Sequence, residues 1–193
     1  MRPTKQPGIL PRSPAKCVHL NKALQRASDH TALNHIILEN LCEFDAVNMV
    51  TALVQLARTD GKQRSEPPFR SAWSATTSRL VQVHRDSDGM TPRAVANMAW
   101  AVAVVALDQH SVMDVVAEVT IRSADAFHTR DLAALAWSQA TFLGADQALL
   151  NAIATAALSH LRSSGHIQAL DLAQLAWSFA TLRHSCEMLM PAI

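Results

Sequence analysis

The chain has 193 residues, of which 49% are hydrophobic and only 5 are glycine, so it can bury a core and is not disordered throughout. It contains no tyrosine and is rich in alanine, a composition that favours helices over strands. The cysteines Cys17, Cys42 and Cys186 are too few and too far apart for a disulfide framework or a zinc pattern, which indicates a reducing compartment. We therefore predict an all-α protein.

The net charge of +1 is distributed unevenly along the chain. Residues 1–28 contain six basic side chains and no acidic one, which leaves 11 basic against 16 acidic residues in 29–193, a balance of about −5. This balance weakens the expectation of a strong electrostatic attraction to nucleic acid. The longest uncharged apolar run, Ala94 to Leu107, has 14 residues, fewer than the roughly 20 that span a bilayer, so it predicts a buried helix and no membrane partner.

The N-terminal segment 1–28 also contains four of the eight prolines, Pro3, Pro7, Pro11 and Pro14. A basic, acid-free and proline-interrupted start is compatible either with an organellar transit peptide or with a disordered tail. It is not a secretory signal, because no apolar segment follows the charges. We expect the folded part, a helical repeat array, to cover residues 29–193.

The array is built from one helical segment that recurs along the chain. A weak first copy covers Ala46 to Val54, with Thr51 in the position of a later tryptophan, and a second copy covers Val95 to Ala103. Residues 132–141 and 172–181, LAALAWSQAT and LAQLAWSFAT, agree at eight of ten positions. Within the unit the apolar residues form one stripe at helical spacing, so each copy predicts a helix with an alanine-rich contact face.

The ends of these helices carry recognisable signals. Thr91 and Pro92 provide a capping residue and a proline in the first turn, and Asp45, Asp131 and Asp171 share one slot near the helix start, where a carboxylate meets exposed N–H groups. The first and second copies are further apart than the others, which an additional loop from Asp60 to Pro68 explains.

Between the copies lie four less regular amphipathic segments, at about 30–41, 69–84, 110–125 and 147–162. Each unit is therefore a hairpin of a variable helix followed by a stereotyped helix. A lone hairpin cannot bury its apolar stripe, so the units must stack into an α-solenoid of about four repeats of 37–49 residues. Residues 184–193 read as the opening of a further hairpin, so we expect the last repeat to be truncated.

The Leu-Ala-x-Leu-Ala-Trp-Ser-x-Ala unit resembles the octotricopeptide repeat and its relatives in proteins with a RAP domain, including the heptatricopeptide and FAST-kinase-like groups. The similarity covers roughly residues 30–183 and is most specific in 131–140 and 171–180. It implies sequence-directed RNA binding in mitochondria, or alternatively chloroplasts, in the stability, processing or translation of organellar transcripts. The first copy departs from the pattern because it lacks the tryptophan, and no RAP domain is visible.

Candidate functional residues follow from the hairpin arrangement. Trp100, Trp137 and Trp177 are expected to be packing anchors between hairpins, with base stacking as the alternative. If RNA is the ligand, polar side chains of the variable helices should line the concave face and contact unstacked bases. These candidates are Asn151, Thr155, Ser159, Ser74, Ser78 and Arg79, with Arg85, Arg122 and Arg162 as further basic residues.

Other chemistries are less well supported by the sequence. The nine histidines have no partners at metal-ligand spacing, so we expect no metal site and no cofactor. No nucleophile motif, phosphate-binding loop or dinucleotide fingerprint is present, so we do not expect an enzyme. The main alternative to an RNA-binding protein is a protein-interaction scaffold, an α-solenoid subunit of a larger assembly such as a ribosome, which the acidic balance of residues 29–193 favours.

Overall fold

The computed structural model describes residues 14–86, 90–107, 110–142, 146–164 and 168–183. Within these ranges the chain forms α-helices and short 3-10 turns and contains no strand, which confirms the all-α prediction. The helices are α1 (Pro14–Gln25), α2 (His30–Asn40), α3 (Ala46–Ala57), α4 (Pro67–Asp86), α5 (Pro92–Val105), α6 (His110–Ser123), α7 (Thr129–Phe142), α8 (Gln147–Ser164) and α9 (Ala169–Thr181).

The helices stack in two layers, as expected for a helical repeat fold. Helices α1, α3, α5, α7 and α9 contact one another in chain order and form what we call the odd layer. Helices α2, α4, α6 and α8 do the same in the even layer. Across the layers, the closest approach is between each odd helix and the even helix that follows it, at α3 with α4, α5 with α6 and α7 with α8.

Small side chains make the odd layer the more closely packed of the two. Ala99 and Ala136 are fully buried between successive odd helices, and contacts in this layer are more extensive than those between the even helices. The even layer instead contains bulky buried residues such as Phe69 and Trp73. We call the face of the odd layer that is turned away from the even helices the inner surface.

Helix starts follow the predicted capping chemistry in most cases. Asp45 caps α3 in a capping box with Asn48, and the Thr91 hydroxyl accepts the Ala94 N–H at the start of α5. Asp29 caps α2, and the hydrogen bond from the Ala32 N–H, followed by that from Ser28, lowers its pKa below the usual 3.8.

Asp131 and Asp171 differ from Asp45, although the three share a repeat slot. Asp131 is the third residue of α7, and Asp171 is the third residue of α9. Asp45, in contrast, is the residue immediately before α3. Both carboxylates lie in the first turn, where the helix dipole favours negative charge. Neither accepts a hydrogen bond from a backbone N–H of the described residues, so they do not act as caps.

Two predicted boundaries were wrong. The tail was expected to extend to residue 28, but residues 14–25 form α1, whose Cys17, Leu20 and Leu24 are buried against the array. The sequence signal was hidden because α1 has little amphipathic contrast and begins at a proline. Pro67 and Pro68, expected to end a loop, instead open α4, a position where proline's missing N–H has no cost.

The long apolar run is a buried helix, as predicted. Val95, Ala99 and Val102 of α5 are completely buried between α3 and α7. Among the described residues, no helix combines the length and apolarity required to span a membrane.

Candidate nucleic-acid interface

The repeated tryptophans lie on the inner surface of the odd layer. Trp100 and Trp137 are half-buried, and Trp100 packs against the core, whereas Trp177 is 51% exposed, so the expectation of packing anchors is not met at Trp177. Each tryptophan therefore presents part of its ring to solvent from successive helices.

The deeply buried tryptophan is the one outside the repeat unit. Trp73 on α4 is 1% exposed, and its ring lies nearly parallel to that of Phe69, with centroids 6.2 Å apart and an interplanar angle of 7°. Its indole N–H has no hydrogen-bond acceptor among the described residues. Trp73 is thus a core residue of the even layer, whereas the repeat tryptophans are surface residues of the odd layer.

Three neighbouring clefts lie along the odd layer and beside the start of α2, and we call them together the inner groove. The first, of about 430 Å³, lies between α1, α3 and α5 and includes Thr51 and Gln55. The second, of about 280 Å³, lies between the end of α1, the start of α2 and the end of α3. The third, of about 340 Å³, crosses α3, α5, α7 and α9 and includes Trp100. Arg58 lines all three clefts, which are therefore adjacent.

The third cleft combines basic, acidic, amide and aromatic side chains. We call it the Ala134 cleft, after the small residue at its centre. It is lined by Val54, Arg58, Arg93, Ala96, Asn97, Trp100, Arg130, Asp131, Ala134, Leu170, Asp171 and Gln174. Amide and guanidinium groups donate hydrogen bonds, carboxylates accept them, and tryptophan offers an aromatic face. This set can contact phosphates, base edges and base faces.

The charges of the Ala134 cleft are only partly neutralised within the protein. Arg93 Nη1 lies 3.8 Å from Asp131 Oδ1, and the Asp131 side chain is 7% exposed. Arg58 and Arg130 are exposed and form no ion pair with a described residue. Two guanidinium groups are therefore available to an anionic ligand. Their charge is placed beside an aromatic ring, as in sites that bind single-stranded nucleic acid.

The residues predicted to contact RNA lie on the even layer instead. Asn151, Thr155 and Ser159 are exposed on α8, and Ser74 and Ser78 are exposed on α4. None of them lines the inner groove. The three clefts are therefore lined mainly by the stereotyped helices, whereas the variable helices were expected to line the RNA-binding face.

The predicted arginines do not converge on the inner groove either. Arg79 donates to Gln82 Oε1 at 3.0 Å, and Arg122 pairs with Glu118 at 3.6 Å on its own helix. Arg162 is exposed in the last turn of α8, at the same end of the even layer as Arg122. The side chain of Arg85 lies outside the described residues.

Sequence reasoning missed Arg58, Arg93, Arg130, Asn97 and Gln174. The available signal was the variable position of the repeat three residues before the tryptophan, on the same helix face. This position holds Asn97 in α5, Ala134 in α7 and Gln174 in α9, all lining the Ala134 cleft. In the first copy it holds Asn48, which is buried against α1, so the signal identifies a cleft residue only in the later copies.

Several of the described histidines have structural partners. His30 Nε2 lies 3.4 Å from Glu66, His35 Nε2 lies 3.3 Å from Glu39, and His160 Nε2 lies 2.9 Å from the Phe127 carbonyl oxygen. In the described part of the chain, no three His, Cys, Asp or Glu side chains are grouped as metal ligands would be.

Comparisons of the chain with protein-family models, with curated proteins and with solved structures found no match.

Proposed function

We propose that the protein binds single-stranded RNA along its inner groove. The observation that carries this proposal is the Ala134 cleft, where the half-buried Trp100 lies with Arg58 and Arg130; the partly exposed Trp137 and Trp177 occupy the equivalent repeat position on the next two odd helices. Aromatic side chains that stack on bases, beside cations that contact the phosphate chain, are the usual components of a single-strand binding surface.

The location of the charges matters more than their sum. Residues 29–193 carry more acidic than basic side chains, but three arginines line the Ala134 cleft against two carboxylates. Such local excess positive charge, on a concave surface, attracts the phosphate backbone even when the whole protein is close to neutral. The resemblance to octotricopeptide repeats supports the same ligand. It extends the proposal to organellar transcripts, in mitochondria or chloroplasts, whose stability, processing or translation the protein would assist.

The proposal can be tested with two matched sets of substitutions in the full chain. The first replaces Arg58, Arg93 and Arg130 of the inner groove by Gln, so that position 93 can still hydrogen-bond Asp131. The second replaces Arg79, Arg122 and Arg162 of the even layer by Gln, which removes the same charge. Binding of a fluorescein-labelled 12-nucleotide uridine RNA is measured by anisotropy from about 50 to 200 mM salt, the range over which phosphate contacts weaken strongly.

We expect the inner set to weaken binding at least about tenfold and to reduce the slope of log affinity against log salt by about 2, since each phosphate contact on a single strand contributes roughly 0.7. The even-layer set should bind like the unsubstituted protein. Equal losses in both sets, or a loss only in the even-layer set, would contradict binding in the inner groove. Absence of RNA binding at the lowest salt would contradict the function itself.

A protein-interaction scaffold is the second candidate, and α9 carries the observation that favours it. Leu170 is 73% exposed and Trp177 is 51% exposed, and their separation of seven residues places them on one face of the helix. Exposed apolar surface of this kind often marks a protein interface. A Leu170→Ser/Trp177→Ser double variant that loses co-purifying protein, in a chain that binds no RNA at low salt, would favour the scaffold.

A further inference from the structure

The Ala134 cleft contains one small side chain in a row of larger ones. At the repeat position three residues before the tryptophan, α5 has Asn97 and α9 has Gln174, whereas α7, which lies between them, has Ala134. The cleft has a volume of about 340 Å³ and is lined by residues of α5 and α9 on either side of Ala134. This volume lies within the roughly 300 to 1,000 Å³ of small-molecule sites.

Asp171 gives the cavity its chemical character. Its residue is 7% exposed, it lines the cavity, and its carboxylate has no hydrogen-bond or ion-pair partner among the described residues. The neighbouring Asp131 differs, because Arg93 lies within 3.8 Å of it. A carboxylate only accepts hydrogen bonds, so a ligand that occupies the cleft can satisfy Asp171 by supplying N–H donors.

The surrounding charges restrict which donor can enter. Arg58, Arg93 and Arg130 line the same cavity, so a bare cation such as an ammonium group would meet more positive than negative charge. A nucleotide satisfies both halves of the site, since its phosphate suits the arginines and its base can present N–H donors to the carboxylate. The ring of Trp100, which lines the cavity from α5, provides a surface on which the base can stack.

The acceptor-only carboxylate discriminates between the bases. Guanine is the one standard base whose Watson–Crick edge has two adjacent donors, N1–H and the 2-amino group, which match the two oxygens of Asp171. Uracil places a carbonyl oxygen on either side of its single N–H, and adenine and cytosine each place a ring acceptor beside the amino group. Gln174 can donate its amide N–H to the guanine O6.

We propose that the Ala134 cleft holds a guanine base of the bound strand, with its Watson–Crick edge at Asp171 and its face against Trp100. This inference rests on the proposed RNA-binding function and adds a base preference to it. Binding along the groove is then general, and base identity is read at this pocket.

The test compares 12-nucleotide RNAs that differ at one central position in a uridine background. The central residue is uridine, adenosine, guanosine or inosine, and inosine lacks only the 2-amino group of guanosine. We expect the guanosine strand to bind at least about fivefold more tightly than the uridine strand, because one bidentate base contact discriminates by this factor or more. Inosine should lose most of the advantage.

Three variants of the full chain test whether the preference for the guanosine strand arises in the Ala134 cleft. Asp171→Asn should reduce the ratio of guanosine-strand to uridine-strand affinity to about 1, because the amide replaces one acceptor by a donor. Ala134→Leu, which fills the cavity without changing charge, should also abolish the preference. The matched control Asp114→Asn removes one charge from an exposed position of the even layer and should leave the preference intact.

The outcomes separate this inference from the proposed function. Tight binding of all four RNAs without a base preference would retain RNA binding and overturn the guanine pocket. A preference that survives in both Asp171→Asn and Ala134→Leu would overturn the assignment to this cleft. A parallel measurement with free GMP distinguishes a free nucleotide from a guanosine within an RNA strand. If the protein bound GMP but none of the four RNAs, the cleft would be a guanine-nucleotide site and the inference that it reads a base of a bound strand would be overturned.

Discussion

Trp73 and Trp177 show that the same residue type has opposite roles in the two layers. Trp73 is 1% exposed and stacks on Phe69 in the even layer, whereas Trp177 is 51% exposed on the inner surface. A buried indole contributes through the large apolar area that it removes from water and through its many dispersion contacts. An exposed indole contributes little to folding and is available to a ligand.

We therefore predict that Trp73→Ala lowers the free energy of unfolding by about 3 to 5 kcal/mol, the range for large buried aromatic residues. Trp177→Ala removes the same side chain from an exposed position and should change it by less than about 0.5 kcal/mol. Urea unfolding followed by circular dichroism measures both variants. Comparable losses in the two would show that Trp177 is a packing residue, as the sequence alone suggested.

The sequence could identify the repeat tryptophans but not their environment. The spacing of Leu132, Leu135 and Ala136 placed Trp137 on a helix beside the apolar stripe, and an indole in that position is compatible with either burial or exposure. The difference depends on how closely the next odd helix approaches, which is a property of the stack. For the same reason, no local pattern could show that one cleft is lined by Arg58, which follows α3, Arg93 of α5 and Arg130 of α7.

Individual elements were predicted more accurately than residues. The segments 30–41, 69–84, 110–125 and 147–162 were expected to be helical and correspond to α2, α4, α6 and α8, because an amphipathic period is a property of the local sequence. Helix α1 was missed because its buried positions are few, so its stability depends on contact with α3. One such long-range contact is the hydrogen bond from Asn48 Nδ2 to the Cys17 carbonyl oxygen, 2.9 Å long.

The connection between α3 and α4 has a structural role that its loop-like sequence did not reveal. The Arg64 guanidinium donates to three carbonyl oxygens, those of Ala57 at 2.7 Å, Val104 at 2.8 Å and Thr59 at 3.1 Å. Two of these carbonyls lie at the C-terminal ends of α3 and α5, where backbone acceptors have no partner in their own helix. A cation in this place also interacts favourably with both helix dipoles.

We predict that Arg64→Lys lowers the free energy of unfolding by about 1 to 3 kcal/mol, because an ammonium group keeps the charge but cannot reproduce the planar fork of donors. The control is Arg70→Lys, since Arg70 is exposed and forms no side-chain hydrogen bond with a described residue. That variant should unfold at the same denaturant concentration as the unsubstituted protein. Equal stability of all three chains would show that the Arg64 contacts do not hold α3 and α5 together.

At the scale of the whole molecule, the alanines of the stereotyped helices determine how closely the odd helices pack. The fifth and ninth residues of the Leu-Ala-x-Leu-Ala-Trp-Ser-x-Ala unit are Ala99 and Ala103 in α5, and Ala136 and Ala140 in α7, and all four are buried. The equivalent residues of α9 are the half-buried Ala176 and the exposed Ala180. Burial at these positions therefore comes from the following odd helix, and the small side chain lets that helix approach closely enough to form the inner groove.

A larger side chain at one of these positions should separate two layers of the stack. We predict that Ala136→Leu lowers the free energy of unfolding by about 1 to 3 kcal/mol, since Ala136 is completely buried and the added atoms must force α7 and α9 apart. Ala180→Leu makes the same substitution on the exposed side of α9 and should change stability by less than about 0.5 kcal/mol. Urea unfolding of both variants gives the comparison.

Because α7 and α9 both line the Ala134 cleft, Ala136→Leu should also weaken RNA binding in a chain that remains folded, whereas Ala180→Leu should not. If Ala180→Leu were the more destabilising variant, Ala180 rather than Ala136 would face a closely packed neighbouring helix, which would contradict this packing.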